Sequence, residues 1–195
     1  MCIRDSLSTK LGKCIRFSCK DLRVFSGRSS IGVRGIRLSD KDTVISLAIL
    51  NGIDFNVNER DEYLKVSSLI RKNEKNDNMN ITEEKITQFQ KNEEFILSVT
   101  DKGFGKRSSA YEYRKTKRGG LGIANMQLSN RNGNEIIASF PIKNNDQLML
   151  VTDNGQLIRC PVDDVRIAGR QTQGVTLFNV SETERVVSVA KLEEN

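Results

Sequence analysis

Apolar residues cluster in short strand-like segments broken by turn signals, and the segments recur in one plan three times along the chain. Each unit has an apolar strand, a turn with glycine, a second strand ending in arginine, a variable basic stretch, a Gly-apolar strand and a closing Val/Ile-rich strand. The first unit reads through Leu11 to Phe17, Arg28 to Leu38 and Thr43 to Leu47. The second begins at Phe95-Ile96-Leu97-Ser98-Val99, passes Gly122-Ile123-Ala124 and closes at Glu135 to Phe140. The third runs from Leu148-Met149-Leu150-Val151 through Gly174-Val175-Thr176-Leu177 to Arg185 to Ala190. Gly103 to Gly155 and Gly122 to Gly174 are both 52 residues apart, so the second and third units share a register at two landmarks. Self-similarity at a fixed period marks a repeat architecture.

Short strands with turns at Arg131-Asn132-Gly133 and Asp153-Asn154-Gly155 predict antiparallel sheets joined by tight turns. Four-strand units of about 50 residues fit a propeller-like array better than one sandwich. Three units do not close a ring, so further blades upstream are expected. The opening Met1-Cys2-Ile3-Arg4-Asp5-Ser6 matches nothing later. Residues 1–9 are therefore read as an artefact or a truncated strand and set aside.

Between the first and second units the period changes. Tyr63, Val66, Leu69 and Ile70 fall at i, i+3, i+6 and i+7 behind Asn58 as N-cap, which predicts a helix over 59–72. Asn73 to Asn80 is polar and expected to be mobile, and Thr82 caps a short helix carrying Ile86 and Phe89. The predicted division is blade 10–50, a partly helical acidic insert 51–92, blade 93–145, and a final blade with tail 146–195.

Composition narrows the function. The 195 residues are 37% hydrophobic, adequate for a core, and no run is long enough to span a bilayer. A signal peptide's apolar segment is also lacking at the start, so secretion and membrane insertion are not expected. There is no histidine, and Cys2, Cys14, Cys19 and Cys160 make no C-x-x-C pair. That removes an ordinary zinc site, imidazole catalysis and every His-dependent triad, and the thiols read as reduced and cytosolic. The pairs Asp163-Asp164 and Glu193-Glu194 are adjacent in sequence, with no convergent partner for carboxylate catalysis. Tyr111 and Tyr113 read as packing residues rather than nucleophiles.

Net charge is +6, but residues 51–95 hold seven basic and ten acidic side chains, leaving +9 elsewhere. From 101 to 122 seven Lys/Arg stand against two acids, interleaved with glycine. This stretch is no P-loop: the required first glycine is Thr100, and Arg107 follows Lys106. Nor is it a dinucleotide fingerprint, because the third glycine is missing and the context is strand-turn-strand. Basic residues instead recur at matching places: Arg16, Lys106 with Arg107, and Arg159 after the first turn; Arg28, Lys117 with Arg118, and Arg170 before the glycine strand. In a circular array these positions form a basic band that suits the phosphates of bent duplex DNA and contacts backbone without reading sequence. Arg34 and Arg114 join that band, and Gly119, Gly120 and Gly174 are candidates to bring backbone N–H groups to phosphate oxygens.

Gly103-Phe104-Gly105-Lys106-Arg107, Thr152 to Arg159 and Gly169 to Val175 resemble the late-blade motifs of the C-terminal domain of the bacterial DNA gyrase A subunit, in the type IIA topoisomerase family. Gly32 to Leu38 resembles the blade before them, and the likeness covers residues 10–193. The resemblance implies an all-β partial β-pinwheel of three four-stranded antiparallel blades, with a helical insert after the first. It implies a module that wraps double-stranded DNA for ATP-dependent negative supercoiling. Its partners would be the rest of the gyrase A subunit together with the gyrase B subunit, in the cytoplasm on the bacterial chromosome. The cleaving tyrosine, ATP and Mg2+ would sit elsewhere in that enzyme, with no catalytic residue or cofactor here. Thr116 to Gly122 is similar to the family's signature heptapeptide but lacks its starting Gln and second Lys. The corresponding domain of topoisomerase IV, or a propeller serving as a protein-interaction platform, are the alternative readings.

Overall fold

The computed structural model describes residues 2–52, 55–74 and 80–193. Eleven strands among them form three antiparallel sheets. In the first, β1 (Cys2–Thr9) lies between β3 (Val44–Gly52) and β2 (Lys13–Ser18). The segment set aside in the sequence is thus, from residue 2 onward, the opening strand of the first repeat, hydrogen-bonded on both sides. In the second sheet β4 (Phe95–Thr100) lies between β5 (Phe104–Ser109) and β7 (Ile136–Ile142). In the third, β8 (Gln147–Thr152) lies between β9 (Leu157–Pro161) and β11 (Val186–Leu192). Leu97, Val99, Leu148, Leu150 and Val186 are fully buried in the core shared by the second and third sheets. Each such side chain contributes roughly 1.5–3 kcal/mol of burial.

The fourth strands depart from the sequence reading, which gives every repeat its own. Strand β6 (Ile123–Ala124), from the second repeat, pairs with β2 of the first sheet, Cys14 opposite Ile123. Strand β10 (Val175–Thr176), from the third repeat, pairs with β5 of the second, Gly105 opposite Val175. Each repeat therefore finishes the sheet before it. Among the described residues the third sheet has three strands, and Arg28 to Leu38 of the first repeat forms no strand.

Glycine permits the exchange. Gly122 and Gly174 hold φ of +71° and +79°, and a Cβ on either would meet a backbone oxygen of the accepting strand, Cys14 or Gly105, at 2.7 Å. Only a residue without Cβ combines that left-handed backbone with that approach.

Two helices fill the insert. Helix α1 (Val57–Arg71) begins two residues before the predicted start, because Asn56 rather than Asn58 is the N-cap, its side chain accepting from the N–H of Asn58. Helix α2 (Glu83–Lys91) has Thr82 as N-cap, as the sequence predicts. The expected mobile stretch 73–80 falls largely on 75–79, outside the described residues. Tyr63, Phe89 and Phe55 stack in series with centroids 4.7 and 3.7 Å apart, and Tyr111 of the second blade meets all three rings edge-on. The Tyr111 hydroxyl donates to the carbonyl of Phe89, and the Tyr63 hydroxyl donates to Glu93. Tyr111 thus serves packing, and it is the anchor of the insert.

A Gly174→Ala change puts Cβ 2.7–3.0 Å from Gly105 backbone and Met126 while keeping φ positive. It should cost about 2 kcal/mol or more in urea unfolding. Gly155→Ala has the same strained φ of +80° but open space around it, and should cost only about 1 kcal/mol.

Candidate nucleic-acid interface

The second strand of each repeat carries an arginine, Arg16 in β2, Arg107 in β5 and Arg159 in β9, and the first two point inward. Arg16 is 5% exposed and donates from Nη1 to the carbonyl of Ala110 at 2.6 Å. Arg107 is 6% exposed and donates to the carbonyls of Val165 at 2.6 Å and Asp163 at 3.2 Å. Both sets of carbonyls belong to a 3-10 turn of the following repeat, Ala110–Glu112 or Val162–Asp164, and its exit. The Ala110 carbonyl also accepts from the Tyr113 N–H, and its second lone pair takes the guanidinium, whose charge strengthens the bond. Asp163 also pairs with Arg107 at 3.3 Å, and burial pulls this guanidinium below the ordinary arginine value. Arg159, the third of the set, is exposed and donates to Gln147.

Lys106 is fully buried, its ammonium donating to the carbonyls of Gly169, at 2.8 Å, and Arg170. Burial lowers its pKa to about 7, with the charge of Glu112 resisting. Arg16, Lys106 and Arg107 are thus inter-blade ties and not part of an exposed band. The reason is that neighbouring blades meet at these positions through backbone acceptors, which leave no trace in side-chain pattern.

A second pair of ties holds the donated strands. Arg118 reaches back to the carbonyls of Asp21 and Arg34, and Arg170 to that of Ala124 at 2.7 Å. Both side chains remain half-exposed. The glycines also differ from expectation. The Gly119 N–H is already donated to the Gly35 carbonyl, and the Gly120 carbonyl accepts from Arg37. Gly174 is held against Gly105. Their role is turn geometry and close approach of backbone.

What remains on the outside is still strongly basic. Arg28, Arg34, Arg114, Lys117 and Arg159 are exposed, and so are Arg23, Arg37 and Arg166, which the sequence reading does not single out. A signal for Arg166 exists, because it stands 52 residues after Arg114, at the spacing of the two glycine landmarks. Arg114, Lys117 and Arg166 sit on loops laid along the neighbouring sheet. The Thr116 N–H donates to the Arg16 carbonyl, and at the matching place the Ala168 N–H donates to the Arg107 carbonyl, both at 2.8 Å. Each loop is therefore a fixed outer rail, with Arg114 or Arg166 exposed on it. Among the described residues no three His, Cys, Asp or Glu gather to hold a metal ion, and no helix is long and apolar enough to cross a membrane.

Burial of Lys106 gives a pH dependence. Its folded pKa, near 7, lies below the unfolded value of 10.5, so below pH 7 both states carry the proton and the fold bears the burial penalty. As pH rises above 7 the folded state sheds the proton while the unfolded chain keeps it, and stability increases toward pH 10.5. Unfolding measured at pH 7 and 9 should show Lys106→Met losing, relative to the unsubstituted chain, a gain on the order of 1–2 kcal/mol.

Comparison with known proteins agrees with this architecture. The profile of the DNA gyrase C-terminal domain, beta-propeller, matches residues 7–51, 94–143 and 146–193, and passes over the helical insert. The DNA gyrase A subunit of Rickettsia bellii is 47% identical over 197 aligned residues, covering 97% of this chain and 22% of the relative. That of Granulibacter bethesdensis is 46% identical, covering 94% and 22%. The chain thus spans about a fifth of the length of these relatives. The crystal structure of the C-terminal domain of DNA topoisomerase IV superposes with a TM-score of 0.72 at 20% identity, covering 99% of this chain and 47% of that one, a likeness of fold. With the profile falling on all three sheets, the chain belongs to the DNA gyrase C-terminal domain family of beta-propellers.

Proposed function

We propose that the chain binds the backbone of double-stranded DNA without regard to sequence and bends it around the outer face of its blades. The observation that carries this reading is the placement of exposed cations at equivalent points of successive repeats, Arg114 and Arg166 above all, on loops pinned along the neighbouring sheet. Rails of this kind present positive charge at a fixed spacing, and phosphates are the partner that repeats in the same way. Family membership supports the same conclusion.

In this reading the module serves DNA gyrase, with the remainder of the A subunit, plus the B subunit, as partners, in the cytoplasm on the bacterial chromosome. It would present wrapped DNA for strand passage, so that ATP-driven turnover introduces negative supercoils. Cleavage chemistry, ATP and Mg2+ belong to other parts of that enzyme. The chain's own contribution is to bind and to bend.

Titration of unrelated duplexes between about 50 and 200 mM salt should show affinity falling log-linearly, with a slope of roughly −0.9 per phosphate engaged. The double substitution Arg114→Ala, Lys117→Ala should flatten that slope by about 2 and weaken binding equally on every sequence. Binding that is absent, or indifferent to salt, in a folded chain would overturn the reading in favour of a protein-interaction platform.

A further inference from the structure

The helical insert carries net negative charge over 51–95, yet one of its ends is basic and points at the rim. Three of its cations are neutralised locally: Arg60 by Asp61, Lys65 by Glu62, and Lys85 by Glu59. The end of α1 is different. Arg71 and Lys72 form one wall of an open cleft of about 390 Å³ whose other side is lined by Arg107 of β5 and by the third repeat's loop, with Asp163 and Arg166. Asp163 is taken up by Arg107, and Arg71 leans over the Phe95 ring and toward Glu93 at 3.4 Å. Among the described residues Lys72 and Arg166 form no ion pair, and both are exposed. Glu74, two residues on, is not part of either wall. Two uncommitted cations thus face one cleft from opposite sides, and one of them is the 52-residue counterpart of Arg114 on the rail.

We propose that the insert extends the DNA path, with Lys72 and Arg166 gripping a backbone phosphate of the duplex in the cleft between the end of α1 and the third repeat's loop. This rests on the DNA-binding reading above. Phosphate is favoured over a carboxylate-bearing peptide because Arg166 in the cleft is the counterpart of Arg114 on the preceding loop, and a duplex backbone carries an anion to each. It also accounts for the rigid mounting of the insert. Tyr111 locks Phe55, Tyr63 and Phe89 onto the second blade, which holds the end of α1 at a fixed place beside the third repeat's loop.

The test uses the whole 195-residue chain and duplexes of unrelated sequence, followed by fluorescence anisotropy over a salt series. Lys72→Gln and Arg166→Gln should each flatten the log-log salt slope by about 1 without altering the thermal midpoint, and Lys72→Arg should restore it. A slope and affinity unchanged in Lys72→Gln, while Lys117→Gln loses both, would overturn the insert's role and leave the DNA reading intact. Absence of DNA binding by the unsubstituted chain would overturn both, and the fault would lie with the earlier reading.

Discussion

A buried guanidinium reaching across a blade junction to backbone carbonyls is the interaction on which this architecture rests. Arg16 and Arg107 each bring a charge that burial would otherwise forbid, and each finds carbonyls at the next repeat's helical turn. Removing Arg107 would strand its acceptors and loosen the orientation of the following repeat, because an unsatisfied buried polar group costs about 1–3 kcal/mol. Lys106 adds a third tie of the same kind at the second junction. Affinity for anions and cohesion between blades therefore draw on one residue type. Depth decides between the uses: inward-facing cations hold the blades, and outward-facing ones stay free for a partner.

Polar groups also set how the first two sheets meet. The Ser8 hydroxyl donates to Ser139, the Asn125 amide donates to Ser139, and the Tyr113 hydroxyl donates to the Asn125 carbonyl oxygen at 2.6 Å, all within the buried interior. Burial raises the Tyr113 phenol well above its ordinary value, which keeps it a donor at any physiological pH. A network with every member satisfied admits one arrangement of its elements. Between successive repeats an ion pair recurs with its polarity reversed. Lys10 meets Glu135 at 2.6 Å, and Asp101 meets Arg185 at 3.6 Å in the corresponding place. Pairs whose cation is part-exposed, as Lys10 and Arg185 are, add little stability. Their exchange of sign would nonetheless penalise docking the wrong neighbour, since like charges would then face each other.

Much of this is legible in the sequence. The three repeats, the turns at Gly103 and Gly155, and both insert helices follow from apolar period, glycine spacing and capping residues. What stays hidden has a common cause. An apolar pair such as Ile123-Ala124 looks the same whether it edges its own sheet or the one before, so the exchange of strands has no signature in pattern. Arg16 and Arg107 read as surface residues because their partners are backbone carbonyls, which every residue carries. Met1 to Ser6 match nothing later in the sequence, yet pairing with β2 and β3 on both sides makes residues 2–9 the central strand of the first sheet. The exposed positions of Arg28, Arg34, Arg114 and Lys117 agree with the sequence, and Arg166 lies within reach of the 52-residue spacing.

Donation of strands between repeats ties the order of assembly to the order of synthesis. Cys14 waits for Ile123, 109 residues later, before its sheet has an outer edge, and Gly105 waits for Val175, 70 residues later. At about 5–20 residues per second of translation, the first sheet stays open on that side for ~4–14 s after its own last strand, β3, is made. During that interval its free edge can pair with any extended chain nearby. The acidic helical insert is made within the same interval, directly after β3 and before the second blade begins. The ribosome thus delivers each of the first two blades with its closure still to come, and neither is finished until its successor has arrived.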